Sequence, residues 1–121
     1  MPQKNIPRGE WQDFCEQFSQ AHQGWLVTLT DVHPHTDDGA DPEARLVARN
    51  LALKHITAER DGHSVGLRIV AGDGSRRITH LVLDPAQIHL ERTSYGIDRG
   101  LRIRDAQNQS TVVRFNLPRV S

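Results

Sequence analysis

The chain has 121 residues, with fifteen Lys or Arg and fifteen Asp or Glu, so its formal net charge is zero. This length predicts a single domain with its own hydrophobic core, and the balanced charge excludes global steering toward nucleic acid or an anionic membrane. The lone cysteine, Cys15, cannot form an internal disulfide, and the amino terminus has no apolar signal segment. We therefore expect a cytoplasmic protein without a membrane span.

An amphipathic helix is the first predicted element. Apolar side chains recur at spacings of three and four, at Trp11, Phe14, Cys15, Phe18 and Ala21. This period places them on one face of a helix. Pro7 is typical of a first helical turn, and Gly24 predicts the end of the helix. Residues 1–5 are expected to form a disordered tail.

β-Strands are predicted after Gly24, where the period of the apolar pattern changes to two. Extended segments follow one another at 25–32, 44–50, 53–60, 63–71, 76–83, 88–93, 101–105 and 111–117. A bend or bulge is expected after the Leu51-Ala52 pair. The Asp84-Pro85 pair is expected to end a strand.

The Asp61-Gly62 pair predicts a two-residue type I′ turn, because glycine tolerates the positive φ that this turn requires. Pairing outward from that turn sets Ala58 opposite Val65 and Ile56 opposite Leu67. Apolar side chains then meet apolar side chains, which makes this register self-consistent.

The last predicted hairpin has an odd loop of three or five residues. A two-residue turn at Asn108-Gln109 would set Arg104 against Val113 and Arg102 against Phe115. An odd loop places all the apolar side chains on one face, namely Leu101, Ile103, Val113, Phe115 and Leu117.

The predicted fold is α+β: a short N-terminal helix followed by an antiparallel, strongly curved sheet or small β-barrel of about six or seven strands. Successive strands without intervening helices favour antiparallel pairing, and closure into a barrel would reduce the exposed strand edges. Residues 6–118 are expected to form a single helix-plus-β-sheet domain.

Three motifs carry a resemblance to a known family. They are I-P-R-x-x-W from Ile6, F-S-x-x-H-x-G-W-L-V from Phe18, and T-V-V-R-F from Thr111. In their order and spacing they resemble a family of small bacterial proteins known only as a domain of unknown function. The resemblance implies a short helix before a β-rich domain and implies no activity. The segment 33–41 lies outside these motifs.

A metal site is the first candidate chemistry. Asp31, His33 and His35 alternate, so an extended chain would direct their side chains to one side. Asp38 could add a second carboxylate, and two imidazoles with a carboxylate suit zinc or iron. The same stretch is equally typical of a polar loop between two strands, because Asp, Pro, Thr and Gly favour turns. Adventitious nickel or zinc capture is a third interpretation.

No catalytic residue is predicted. Cys15 and His22 lie seven residues apart, about 10.5 Å along a straight helix, which is too far for a nucleophile and its base. Ser19 and His22 are closer, but no third residue that would orient them is evident. The simpler interpretation is that Cys15 is a core residue and that His22 lies at the helix end.

An arginine-rich face is the second candidate site. Arg102, Arg104 and Arg114 are predicted to share the outer face of the last hairpin. Such a face could bind an anion or single-stranded nucleic acid. A salt-bridged, solvated surface is the competing interpretation, with Glu91 and Asp105 among the neutralising carboxylates.

From these patterns we expect a non-catalytic binding or accessory module. The alternatives are a metal-dependent enzyme or metal-binding protein that uses the 31–38 loop, and an anion- or nucleic-acid-binding sheet that uses the three arginines. No cofactor is expected. A homodimer or a protein partner is expected, because an open sheet edge favours such contacts, whereas nucleic acid and membranes are not expected partners.

Overall fold

The computed structural model describes residues 3–33, 43–61 and 64–116. In these ranges the chain forms one α-helix, two short 3-10 turns at Arg8–Glu10 and Gly74–Arg76, and eight strands. The elements are α1 (Trp11–Ala21), β1 (Gln3–Ile6), β2 (Leu26–His33), β3 (Glu43–Asp61), β4 (Ser64–Ala71), β5 (Ile78–Leu83), β6 (Pro85–Arg92), β7 (Asp98–Asp105) and β8 (Ser110–Phe115). The helix has 11 residues, and no helix in the described ranges is long and apolar enough to cross a bilayer.

All strand pairs are antiparallel, in the order β1-β6-β7-β8-β2-β3-β4-β5. The predicted α+β class, with one N-terminal helix and an antiparallel sheet, is confirmed. The barrel alternative is not formed, because β1 and β5 remain at opposite ends of an open sheet.

Strand β3 joins the two halves of this sheet. Its first half pairs with β2 as far as Ala52, and its second half, from Leu53 onward, pairs with β4. Between them Asn50 adopts a positive φ of 56°, and the β2–β3 register shifts beside it. A second register shift, between Leu53 and His55 in the β3–β4 pairing, lies where the bend or bulge after the Leu51-Ala52 pair is predicted.

The sheet curls strongly on itself. The His80 side chain of β5 comes within 3.2 Å of Asp31 on β2, although β3 and β4 lie between these strands in the sheet order. Asp84 adopts a positive φ of 50° at the corner where the chain passes directly from β5 into β6. The curl encloses the apolar core, and the gap between β5 and the other half stays unpaired.

The inner face of the sheet and the apolar face of α1 form one core. Its fully buried side chains include Leu29, Leu53, Ile56, Leu67, Ile69, Ile88, Leu101 and Ile103. The helix adds Trp11, Cys15 and Phe18, as its apolar period predicts. Gly24, at φ +87°, ends the helical region, because few other residues adopt this conformation without strain.

The register predicted for the β3–β4 hairpin is wrong by two positions. Ala58 pairs with Leu67 and Ile56 pairs with Ile69, and Asp61 is opposite Ser64. A shift of two keeps each side chain on its own face, so the apolar pattern satisfies both registers equally. The connecting residues 62–63 lie outside the described ranges.

The odd loop predicted for the last hairpin is confirmed. Leu101 pairs with Val113 and Ile103 pairs with Thr111, so the apolar side chains share the inner face. The Asp105 amide donates to the Gln109 carbonyl at 2.8 Å, which leaves three residues in the loop. Leu117 lies outside the described residues.

One other expectation differs from the structure. The sequence places residues 3–5 in the tail, whereas they belong to β1, which pairs with β6 and is anchored by the Trp11 indole donating to the Ile6 carbonyl at 2.9 Å. Trp25, before β2, is 41% exposed and packs edge-on against Phe115 at the rim of the core.

Candidate functional site at the free edge of β5

A groove with a volume of about 340 Å³ lies along the unpaired edge of β5. One wall is the consecutive run His80–Asp84, so the edge of this strand faces the groove. The opposite side is formed by the end of β2 and by the turn between β7 and β8. We call this cleft the β5 groove.

Polar side chains form the floor of the β5 groove at the open end of the curled sheet. Asp31, His80 and Thr111 occupy inward-facing positions on β2, β5 and β8, where residues further along the strands are apolar. The Thr111 hydroxyl donates to Asp31 Oδ1 at 3.0 Å, and His80 Nε2 lies 3.2 Å from the same oxygen. The Asp31 carboxylate therefore connects three strands.

The turn between β7 and β8 is held rigid by the carboxylate of Asp105. Its Oδ1 accepts hydrogen bonds from the backbone amides of Gln107 and Gln109, both at 2.9 Å. Asn108 supplies the left-handed residue of this three-residue loop, at φ 68°. The wall of the groove is thus fixed before any ligand arrives.

The charge of the groove is one-sided. Asp31, Asp84 and Asp105 line it, and no Lys or Arg is among its described lining residues. The other titratable groups among the described lining residues are His33 and His80. The β5 groove therefore attracts cationic groups more than anionic ones.

The predicted metal ligands are only partly described. Asp31 and His33 line the groove, whereas His35 and Asp38 lie outside the described residues. Asp31 is engaged by Thr111 and His80 instead. Within the described ranges, no group of three or more His, Cys, Asp or Glu side chains is placed to hold a metal ion.

The helix residues considered for catalysis have structural partners. The Ser19 hydroxyl accepts a hydrogen bond from the Ile56 amide at 2.7 Å and donates to the Cys15 carbonyl at 2.7 Å. His22 Nδ1 lies 2.8 Å from the Phe18 carbonyl. These contacts tie α1 to β3 and close the end of the helix.

His22 also has a charged partner that the sequence did not reveal. Its Nε2 lies 3.1 Å from Asp98 Oδ2, and the Arg92 side chain donates to the other oxygen of Asp98 at 2.9 Å. The His22 ring stacks on Phe115 with centroids 4.7 Å apart. Both ring nitrogens are occupied, so this buried histidine acts as a packing and hydrogen-bonding residue.

Cys15 is an unreactive core thiol. Burial raises its pKa from 9.0 to about 11, because the thiolate would lose its hydration. The thiolate is the nucleophilic form, and its fraction near neutral pH is therefore very small. This agrees with the sequence interpretation of Cys15 as a core residue.

The three predicted arginines share the outer face of the sheet. Arg102 and Arg104 alternate along β7, and Arg114 on β8 is opposite Gly100, which has the same orientation. The nearest acidic partner is Glu91, 3.9 Å from Arg114. Among the described residues, Arg102 and Arg104 have no carboxylate within salt-bridge distance.

Sequence reasoning missed most of the groove. Asp31 and His33 were identified, but His80, Asp84 and Asp105 were not placed with them. One usable signal was the position of His80, which is polar at an inward position of an otherwise apolar strand face. The curl of the sheet, which brings β5 to β2 and to the last turn, has no local sequence signature.

Comparison with known proteins gives one match. A family model described as a family of unknown function, DUF5335, matches residues 2–121. No curated protein and no solved structure matches the chain.

Proposed function

This chain belongs to DUF5335, a family of unknown function, and we propose that it is a non-catalytic binding module that holds a protein partner in the β5 groove. The observation that carries this proposal is the free edge of β5. Its only paired neighbour is β4, and its other edge faces an open cleft in the described part of the chain.

An uncovered strand edge is a template for pairing with another chain, and folded proteins usually protect such edges. Charged side chains, proline or a bulge inside the strand are the common protections. Strand β5 reads Ile-Thr-His-Leu-Val-Leu and has none of them. Leu81 and Leu83 are also 52% and 71% exposed, which adds apolar surface next to the edge.

The reactive side chains already make structural contacts, which supports a non-catalytic role. Ser19 and His22 hold the helix to the sheet, and Cys15 is a buried thiol with a raised pKa. A groove with preset walls and a strand edge suits recognition. We also assign the module to the cytoplasm, where a lone thiol remains reduced.

Site-specific photocrosslinking tests this proposal. A photoreactive phenylalanine analogue replaces Gln107 in the groove wall, and in a matched variant it replaces Thr28 on the outer face of β2. Both variants are irradiated in a lysate of the source organism. We expect one discrete protein adduct from position 107 and none from position 28. Identical adducts from both positions, or no adduct from position 107, would reject the proposal.

The outer arginine face is a second candidate binding surface. Arg102 and Arg104 present guanidinium groups without a carboxylate within salt-bridge distance in the described ranges. An acidic protein segment is the partner this surface suits best. In a titration, polyglutamate should bind the natural protein. It should bind the variant Arg102→Gln/Arg104→Gln more weakly. Equal binding by both proteins, or no binding at low salt, would remove this candidate.

A further inference from the structure

We infer that the occupant of the β5 groove is an extended segment of a partner protein that adds to the sheet as a strand beside β5 and places a Lys or Arg side chain among the groove carboxylates. This inference rests on the proposed function and specifies the chemistry of the ligand.

The backbone supports strand addition. Four consecutive residues of β5, His80–Leu83, line the groove, and Asp84 follows them at the corner. A run of consecutive edge residues offers a ladder of amides and carbonyls to an added strand. Main-chain hydrogen bonds of this kind give affinity in β-augmentation, and side chains on alternate positions give specificity.

The charge of the groove specifies a cation. Asp31, Asp84 and Asp105 lie in the groove lining, which has no Lys or Arg among its described residues. Asp31 is fixed in position by Thr111 and His80 at the floor. A basic side chain that points down from the added strand would meet this carboxylate first. An acidic side chain at the same position would face three carboxylates and be repelled.

The alternate side chains of the added strand would meet apolar surface. Leu81 and Leu83 alternate on the outer side of β5, and both are more than half exposed. Extended segments direct successive side chains to opposite faces. The groove therefore suits a segment in which an inward basic residue is flanked by outward apolar residues.

A second copy of this chain is the competing occupant. Pairing of two β5 edges would bring two acidic grooves together, and Ile78–Leu83 itself has no Lys or Arg. The nearest basic residues are Arg76 and Arg77, which precede the strand. A basic segment from another protein satisfies both the edge and the charge.

Three synthetic peptides test the inference: TVTVRVTV, the matched TVTVEVTV, and a TVTVRVTV peptide with alternate backbone amides N-methylated. Binding to the full chain is measured by the NMR shifts of the Thr79–Leu83 amides and by fluorescence anisotropy. We expect the arginine peptide to shift these amides and to bind about tenfold more tightly than the glutamate peptide. N-methylation should abolish binding.

The variant Asp84→Asn provides the matched change in the protein. Asparagine accepts the positive φ of this corner, so only the charge is lost. Affinity for the arginine peptide should fall about threefold to fivefold, with no fall for the glutamate peptide. The control Asp13→Asn, exposed on α1, should change neither affinity.

Three other outcomes would overturn the inference, and each can be distinguished from failure of the proposed function. Equal binding of arginine and glutamate peptides at β5 rejects the charge selection but retains a groove that binds protein. Shifts at β5 that depend on protein concentration alone identify a second copy as the occupant. If no peptide shifts β5 while position 107 still crosslinks a partner, strand addition is rejected and the proposed function stands.

Discussion

The edge of β3 beyond Ala52 and the edge of β5 both have backbone groups without a neighbouring strand, but in the described ranges only the edge of β3 is covered. Beyond Ala52, the second half of β3 has no strand on the side opposite β4. There the helical region covers it: the Ser19 hydroxyl accepts from the Ile56 amide, and Gly24 and Trp25 exchange backbone hydrogen bonds with Leu53. The edge of β5 has no such cover in the described part of the chain.

The difference supports the proposal that the covered edge of β3 serves the fold and that the open edge of β5 serves binding. An unpaired amide that is buried costs about 1 to 3 kcal/mol, so the sealed edge of β3 must be covered for the core to form. The edge of β5 lies beside an open groove, where water can satisfy its backbone groups. In the proposed complex, a partner strand would replace this water.

The largest expected loss of stability in the region covered by the helix comes from His22→Ala, at the end of α1. This change removes a buried ring stacked on Phe115 and leaves Asp98 Oδ2 without its partner, although Arg92 still donates to the other oxygen. The free energy of unfolding should fall by about 3 kcal/mol, as measured by urea denaturation. The control His55→Ala, at an exposed position of β3, should lose less than about 1 kcal/mol. Equal losses in both variants would contradict the assigned role of His22.

The variant Ser19→Ala removes the side chain that covers the edge of β3 at Ile56. The Ile56 amide loses its buried acceptor, so the free energy of unfolding should fall by about 2 kcal/mol. Amide hydrogen exchange at Ile56 should accelerate more than exchange in β4. The control Ser94→Ala alters an exposed turn and should be neutral. Unchanged exchange at Ile56 would show that the helix does not protect this edge.

Cys15 makes the sealed region sensitive to alkaline pH. Its pKa is raised from 9.0 to about 11 by burial, so the folded chain retains a proton that the unfolded chain releases. Stability should therefore fall as the pH rises from about 9 to about 11, by about 2 kcal/mol at most. Denaturation of the natural protein and of Cys15→Ala across this range isolates the effect. Parallel pH profiles would show that burial does not protect the thiol.

The smallest effect on stability is expected at the open edge. Leu83→Ser should change the free energy of unfolding by no more than about 0.5 kcal/mol, because the side chain is already 71% exposed. Leu67→Ser, on the buried face of the neighbouring strand, is the contrasting change and should destabilise strongly. A large loss in Leu83→Ser would mean that this edge also supports the fold.

Much of the fold could be predicted from local patterns. The helix followed from its apolar period, and the odd loop of the last hairpin followed from the parity of β7 and β8. The β3–β4 register could not be determined, because Ile56 opposite Leu67 and Ile56 opposite Ile69 both join apolar side chains. Strand β1 was missed because a four-residue edge strand depends on its pairing with β6.

The candidate site was less predictable than the fold. Asp31 was recognised from its spacing to His33, but its true partners are Thr111 and His80, from strands far away in the sequence. Pairing between distant strands has no local signal. The contact between Asp98 and His22 could not be predicted for the same reason, because only the folded sheet brings the two side chains together.

The sheet order also has a consequence for the time course of synthesis. Strands β2 to β5 are consecutive neighbours and can pair as they emerge, but the other neighbour of β2 is β8. Asp31 and its contact Thr111 are 80 positions apart, which corresponds to roughly 4 to 16 s of translation. During this interval the nascent chain lacks the β8 wall and the floor contact of the groove. The proposed recognition of a partner therefore requires that the ribosome has already delivered β8.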